Sequence, residues 1–429
     1  MNTDKTIKEE ALKFHSRQKK GKLSISLTKP LNTSEDLSLA YSPGVGFPCL
    51  EIKDNPALAY EYTSKGNFVA VISNGTAVLG FGDIGSLASK PVMEGKSALM
   101  KRFAGVDSVD VLVETKDVDE FVNVVANIGN TWGGINLEDI KAPECFAIED
   151  RLKEKLKIPV FHDDQHGTAT VVLAGLINAC KLTNKNINTI KIVINGAGAA
   201  GIACADLLAT FGLKKENITL CDTLGVIYKG RTERMNVYKE RYATSNQLVK
   251  TLEDAAVGAD VLIGLSAKGA FTQKILQKMA DSPIVFALAN PDPEILPQDA
   301  KDAKQGAIVA TGRSDFPNQI NNVMCFPFLF RAALDLRVRK ITKEMQIATA
   351  KGIAELAAQE VSKEIKELYP NDKLEGDEYI VPKPYDKRLF RKVVISIAEI
   401  VINSNNHDCP FKSVEEYKKY LHKMHGDFM

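Results

Sequence analysis

Residues 192–201 read IVINGAGAAG, and the fold follows from this stretch. Ile192 to Ile194 are apolar and strand-like, and Gly196, Gly198 and Gly201 then fall at glycine-x-glycine-x-x-glycine spacing. IACADLLATFG continues as a helix. This spacing gives a tight strand-to-helix turn whose backbone a pyrophosphate can approach, with the first helical amides facing the anion. Cofactor contacts are therefore expected along Gly196, Ala197, Gly198, Ala199, Ala200 and Gly201. The next apolar run, ITLCD, ends in Asp222, about 20 residues beyond the last glycine, where a carboxylate ordinarily grips a ribose hydroxyl.

Outward from this motif, strand-length and helix-length patterns alternate. Upstream come FVAVIS, a helix from about Pro91 through MEGKSALMKRFAG, VDVLVE, a helix through DEFVNVVANIG, and GINLEDI. Downstream of IPVFHDDQHGTATVVLAGLINACKL come KIVING, GIACADLLATFG, ITLCD, VGADVLIGL, PIVFALAN and AIVATG. That rhythm predicts an α/β protein: a parallel-sheet N-terminal domain over residues 1–160, then a Rossmann-type doubly wound NAD(P)-binding domain over 161–429. Helices from FLFRAALDLRVRK onward close the second domain. Ahead of FVAVIS, the segment from TIKEEALKFHSRQKK to KPLNT predicts one helix and a short strand.

Composition narrows the function. With 55 Lys and Arg against 54 Asp and Glu, no global field draws the 429-residue chain to nucleic acid or an anionic membrane, so small-molecule chemistry is expected. The cysteines Cys49, Cys145, Cys180, Cys204, Cys221, Cys325 and Cys409 are odd in number and form no C-x-x-C pair, which reads as reduced core cysteines. The start lacks a signal-peptide core and no run approaches a membrane span, so a cytoplasmic location is expected.

A second glycine loop, VLGFGDIG at 78–85, has the same spacing. Pro91 removes a helix hydrogen bond within two turns of it, which argues against a helix starting at the loop, and VDVLVE ends in Glu114, too far along for the usual ribose contact. This copy is expected to shape another part of an active site, with a secondary cofactor contact left open.

Two acidic pairs stand at strand ends: Glu138 and Asp139 in GGINLEDI, Asp163 and Asp164 in PVFHDDQHG. Adjacent carboxylates repel unless a cation or protons settle them, and oxygen-only ligands suit Mg²⁺ or Mn²⁺. The alternative is capping of the helix TATVVLAGLINA by Asp164 or Thr168. His162 and His166 also have the i, i+4 spacing of zinc hydrolases, but Asp163 replaces the general-base glutamate and IPVF reads as strand. Local hydrogen bonding is the reading preferred for these histidines.

Taken in order, AYSPGVG (40–46), SKPVMEGK (89–96), INLEDI (135–140), FHDDQHGTA (161–169), NGAGAAG (195–201), ALANP (287–291) and NQINNVMCFPF (318–328) resemble the malic enzymes, in their short bacterial-type form. The resemblance covers nearly the whole chain. It implies metal-dependent oxidative decarboxylation of (S)-malate to pyruvate and CO₂ with reduction of NAD or NADP. On the matched positions it implies Lys96 as the base for the C2 hydroxyl and Tyr41 as the acid that protonates enolpyruvate. Glu138, Asp139 and Asp164 would be the Mg²⁺ or Mn²⁺ ligands, with Asp163 behind them rather than on the ion. Asn290, Asn321 and Asn322 would orient substrate. A malolactic-type reaction uses the same residues.

The resemblance further implies a homodimer or higher homo-oligomer in which Tyr41 and Lys96 complete a partner's site. Larger malic enzymes carry an arginine just before the first glycine loop, where this chain has Ala77 and Val78, so the clamp for the C4 carboxylate is unassigned. Asp222 favours NAD by repelling a 2′-phosphate, whereas Lys229 and Arg231 are close enough in sequence to neutralise it.

Overall fold

A computed structural model describes residues 2–404, 406 and 408–428. Two sheets are built in chain order. The first holds β1 (Phe68–Ser73), β2 (Asp107–Leu112), β3 (Gly134–Leu137) and β4 (Val160–His162), all parallel and ordered β2-β1-β3-β4. Val69 to Ser73 are buried without a break, as expected of a strand covered on both faces rather than one. Because β3 and β4 run in register, Leu137 beside His162, the acids that follow each strand emerge together at one carboxyl edge.

The second sheet contains β5 (Ile192–Asn195), β6 (Ile218–Asp222), β7 (Gly225–Val226), β8 (Val261–Gly264), β9 (Ile284–Ala287) and β10 (Ile308–Thr311). Their order is β10-β9-β8-β5-β6-β7; all pairs are parallel except the short edge strand β7. Strand order reverses between β5 and β8, the crevice where open α/β sheets take their ligands. The glycine loop leaves β5 at that crevice. A Cβ at Gly196, whose φ is +126°, would fall 2.2 Å from the Leu265 carbonyl oxygen, and one at Gly201 would fall 1.8 Å from the Gly196 oxygen. Only glycine fits this turn.

The helix over Asp163–Leu182 runs between the sheets and packs on the helices at Ala199–Phe211 and Lys343–Ala357. The wholly buried helix Phe326–Asp335 packs on the helix Ser86–Ala104, and Arg388–Asn403 packs against both Phe326–Asp335 and Lys343–Ala357. The C-terminal helices therefore lie against both halves of the chain.

Three expectations need correction. The helix bearing Lys96 begins at Ser86, directly behind the first glycine loop, and runs through Pro91 to Ala104. Pro91 costs the hydrogen bond to the Leu87 carbonyl, about 3 kcal/mol, but burial of Met93 and Met100 on the same face returns about 1.5–3 kcal/mol each. The segment between the first helix, Asn2–Ser16, and KPLNT forms no strand; it lies along the surface with no neighbouring strand to pair. Asp163 and Asp164 occupy the first turn of their helix, so neither they nor Thr168 precede it as caps.

Candidate active site

Glu138, Asp139 and Asp164 each offer an oxygen to one point, these atoms lying within 4.8 Å of one another. Asp139 sits at a left-handed φ of +53°, which turns the chain sharply after β3. The first glycine loop holds it there: the Ala77 amide donates to the Asp139 carbonyl at 3.0 Å and the Leu79 amide hydrogen-bonds its carboxylate. The Asp139 amide in turn donates to Asp164 Oδ2 at 2.7 Å. Loop 78–85 thus shapes the acidic site.

Lys96 lies over this cluster, 11% exposed, with Nζ 2.9 Å from Glu138 Oε1, ion-paired to Asp163 and 4.5 Å from the centre of the Phe326 ring. Burial works to lower the Lys96 pKa, but Asp163, Glu138 and Asp164 outweigh it and hold the ammonium well above its ordinary value. Burial and the Asp164 charge push the Glu138 carboxyl well up and Asp139 up to about 8. Asp139 Oδ2 is buried without a hydrogen-bond partner. Three converging carboxylates, among them Glu138 and Asp139 that resist ionisation and Asp139 with an orphaned oxygen, fit a hard divalent cation. Without one, Lys96 is a charged counter-ion and not a base, so burial alone does not activate it.

Asp163 is not one of the converging trio and pairs with Lys96. A Cβ on Gly167, one helical turn on, would fall 1.9 Å from Asp163 Oδ1 and 3.1 Å from Asn322 Cβ, so Gly167 lets Asn322 approach this carboxylate closely. Asn321 caps a short turn, its Oδ1 accepting from the Val323 amide. Asn290, at the end of the β9 segment, packs between Gly80 of the first glycine loop and Gly312 after β10. Both amide positions therefore adjoin site-forming loops.

His162 and His166 do not gather a metal. His166 Nε2 lies 2.8 and 3.0 Å from the two oxygens of Glu149, while both ring nitrogens of the buried His162 lack hydrogen-bond partners. Hydrogen bonding therefore describes the His166 ring but not the His162 ring. Sequence reading missed Glu149, which also accepts from the His162 amide at 3.0 Å and pairs with Lys153 at 2.8 Å. Its spacing of 17 residues from His166 carries no local signal.

Tyr41 stands apart. It ends the helix Ser34–Ala40, is 70% exposed, and its hydroxyl makes no hydrogen bond among the described residues. Lys96, by contrast, meets carboxylates of its own chain. None of residues 6–68 is buried, and Cys49 in the helix Gly46–Asp54 is exposed rather than a core cysteine.

The second glycine loop opens on a cavity of about 810 Å³ lined by Gly196, Ala197, Gly198, Asp222, Arg234 and Lys239 among others. A Cβ at Gly198 would meet nothing within 4 Å, leaving the backbone approachable, and Gly198 begins the helix Ala199–Phe211. Arg231, expected opposite a 2′-phosphate, pairs instead with Asp222, as does Lys239; Lys229 is exposed.

A Rossmann-type sheet with an open glycine turn stands beside a second parallel sheet that ends in a lysine-capped carboxylate trio, the arrangement of a dinucleotide-binding α/β protein. The description "Malic enzyme, N-terminal domain" matches residues 20–153 and "Malic enzyme, NAD binding domain" matches 165–374. The chain belongs to the malic enzyme family. It is 56% identical over 413 residues to a probable NADP-dependent malic enzyme of Rickettsia prowazekii, covering 96% of this chain and 54% of that protein. The chain thus spans about half the length of that relative. A bifunctional malic/malolactic enzyme of Bacillus subtilis is 49% identical over 93% of this chain and 94% of its own. The crystal structure of malic enzyme from Pyrococcus horikoshii superposes with a TM-score of 0.87 at 41% identity, covering 98% of this chain and 97% of that one.

Proposed function

We propose that the protein catalyses oxidative decarboxylation of (S)-malate to pyruvate and CO₂ with reduction of NAD(P). The observation that carries this reading is Lys96 paired with Asp163 and Glu138 above the Glu138, Asp139 and Asp164 trio. Those three carboxylates would hold Mg²⁺ or Mn²⁺, which when bound polarises the substrate C2 oxygen and offsets their negative charge. With that charge offset, Lys96 can lose its proton and accept the one from the C2 hydroxyl. Asn290, Asn321 and Asn322 orient the substrate carboxylates. NAD(P) would be held along Gly196–Gly201 and would, when bound, supply the acceptor for the hydride from C2. The C4 carboxylate departs as CO₂, and Tyr41 supplies a proton to C3 of the enol.

Tyr41 reaches such a site from a second copy of the chain. Leu37, Leu39, Phe47 and Leu50 around it are exposed, as are Leu79, Phe81 and Leu87 beside the first glycine loop. Apolar surface of this extent marks an interface, and a dimer that exchanges these arms covers both patches. Seven unpaired cysteines suit a reducing, cytoplasmic compartment, and no helix among the described residues is long and apolar enough to cross a membrane.

Reduced-nicotinamide absorbance during incubation with malate, Mn²⁺ and either cofactor tests the reading. Malate left unconsumed would overturn it. A malolactic reaction is the second reading, favoured by the Bacillus subtilis relative's own name; there lactate accumulates with no net reduced cofactor.

A further inference from the structure

At the carboxyl edge of the second sheet, β8 and β9 run side by side with Gly264 opposite Ala287. Their last backbone bond joins the Leu288 amide to the Gly264 carbonyl at 3.1 Å. Beyond it a side chain takes over from the ladder. Glu294, fully buried, accepts from the Ser266 amide through Oε1 at 2.8 Å and from the Ala289 amide through Oε2 at 3.0 Å. The Ser266 hydroxyl also donates to Oε1, at 3.1 Å. Gly264 makes the room, since a Cβ there would fall 2.4 Å from the Glu294 carboxyl carbon. One carboxylate thus ties the segment after β8 to the segment after β9.

These two segments face different parts of the site. Ser266 lines the cavity of the second glycine loop and is held from β5 as well, Asn195 Nδ2 donating to its Oγ at 2.9 Å. Ala289 immediately precedes Asn290, which packs against Gly80 of the first glycine loop. The Glu294 carboxylate therefore sets the separation between a wall of the dinucleotide crevice and the amide assigned to the substrate. Each of its oxygens accepts from a backbone N–H group. A carboxylate can do this and a carboxamide cannot, because the amide nitrogen would face one of the two donors.

We infer that Glu294 is a positioning residue for hydride transfer, acting through Ser266 and Asn290, which it holds at the spacing the transfer needs. This rests on the reaction proposed above. Reacting atoms must meet at about 3–3.5 Å, and a misplacement of about 1 Å can cost about 10²-fold in rate. Glu294→Gln should accordingly lower kcat by about 10²-fold. With malate deuterated at C2, the isotope effect on kcat should rise in this variant, because hydride transfer becomes the slow step. Loss of folded protein alone lowers the rate without moving the isotope effect, so the measurement holds even for a variant that folds poorly. Glu294→Asp keeps two acceptors and should retain more activity than Glu294→Gln, whereas a packing role would favour glutamine, the closer match in size and shape.

A readout without turnover is the emission of bound NADH or NADPH, which reports the surroundings of the nicotinamide. Its enhancement on binding should be weaker in Glu294→Gln, while affinity for 5′-ADP, which fills only the adenosine half, stays within about two-fold, as for separated sites. An unchanged isotope effect, a glutamine variant at least as active as the aspartate variant, or unaltered emission overturns the inference. Should the unsubstituted protein oxidise no malate, the proposed reaction falls, and the emission of bound cofactor still decides the role of Glu294.

Discussion

At the scale of single residues, Lys96 and Glu138 depend on one another's charge. Lys96→Ala should lower kcat by about 10²–10⁴-fold, the usual weight of a general base, with cofactor affinity unchanged. An unaffected rate would remove Lys96 from the reaction. The carboxylate trio predicts a result that needs no turnover. Burial and Asp164 push the Asp139 carboxyl up to about 8, so a cation that relieves the repulsion should stabilise the fold. Adding Mn²⁺ at about 100 times its dissociation constant should contribute about 2.7 kcal/mol and raise Tm. Asp139→Asn should blunt that rise, and a Tm indifferent to Mn²⁺ would show that no ion binds the trio. The acids themselves were legible as two strand-end pairs, but spacing could not say which three converge. That depends on the β3–β4 register and on the left-handed turn at Asp139.

At the scale of elements, Glu149 ties the helix Glu144–Lys155 to the end of β4 and the first turn of the helix Asp163–Leu182. Burial would push its carboxyl up, but His166 and Lys153 outweigh burial and hold it well below the usual carboxylate range. A depressed folded-state pKa contributes stability that is present above the unfolded value, about 4.3, and lost as pH falls through the folded one. Glu149→Gln should therefore cost about 3–5 kcal/mol near pH 7, as for a buried pair that loses one partner, and progressively less below about pH 4. Urea midpoints for both proteins across that range would show it; a difference independent of pH would mean that packing and not charge is lost. Most strands were legible because each is a short apolar run between turn residues. The start at Ser86 was not, because local propensity at Pro91 is overridden by tertiary burial of the Met93 and Met100 face. Likewise the pairing of Asp222 with Arg231 and Lys239 was not legible: Arg231 is near in sequence but its partner is not fixed by spacing, and Lys239 arrives from the turn at Val237–Glu240.

At the scale of the whole molecule, the N-terminal arm has no core of its own. No residue from 6 to 68 is buried, and the arm meets the rest of the chain through contacts such as the Lys22 amide donating to Glu94 at 3.0 Å and Lys22 Nζ donating to the Pro91 carbonyl at 2.8 Å. Nothing in the sequence pattern of the arm separates packing onto its own chain from packing onto a second one, since an apolar stripe specifies burial but not the partner. A dimer that exchanges arms makes a counting prediction. Tyr41→Phe and Lys96→Ala chains should each be nearly inactive alone. When the two are co-expressed, about half of the dimers are mixed. Under exchange, each mixed dimer has one site carrying both substitutions and one site with an intact Tyr41 and Lys96. Activity should then return to about a quarter of the unsubstituted level, by the symmetry of an isologous pair. If Tyr41 serves its own chain, every site in a mixed dimer carries one defect and no activity returns. Size-exclusion chromatography of each pure variant keeps the outcome interpretable, because a monomer would fail to complement for want of a partner and would overturn the exchange directly.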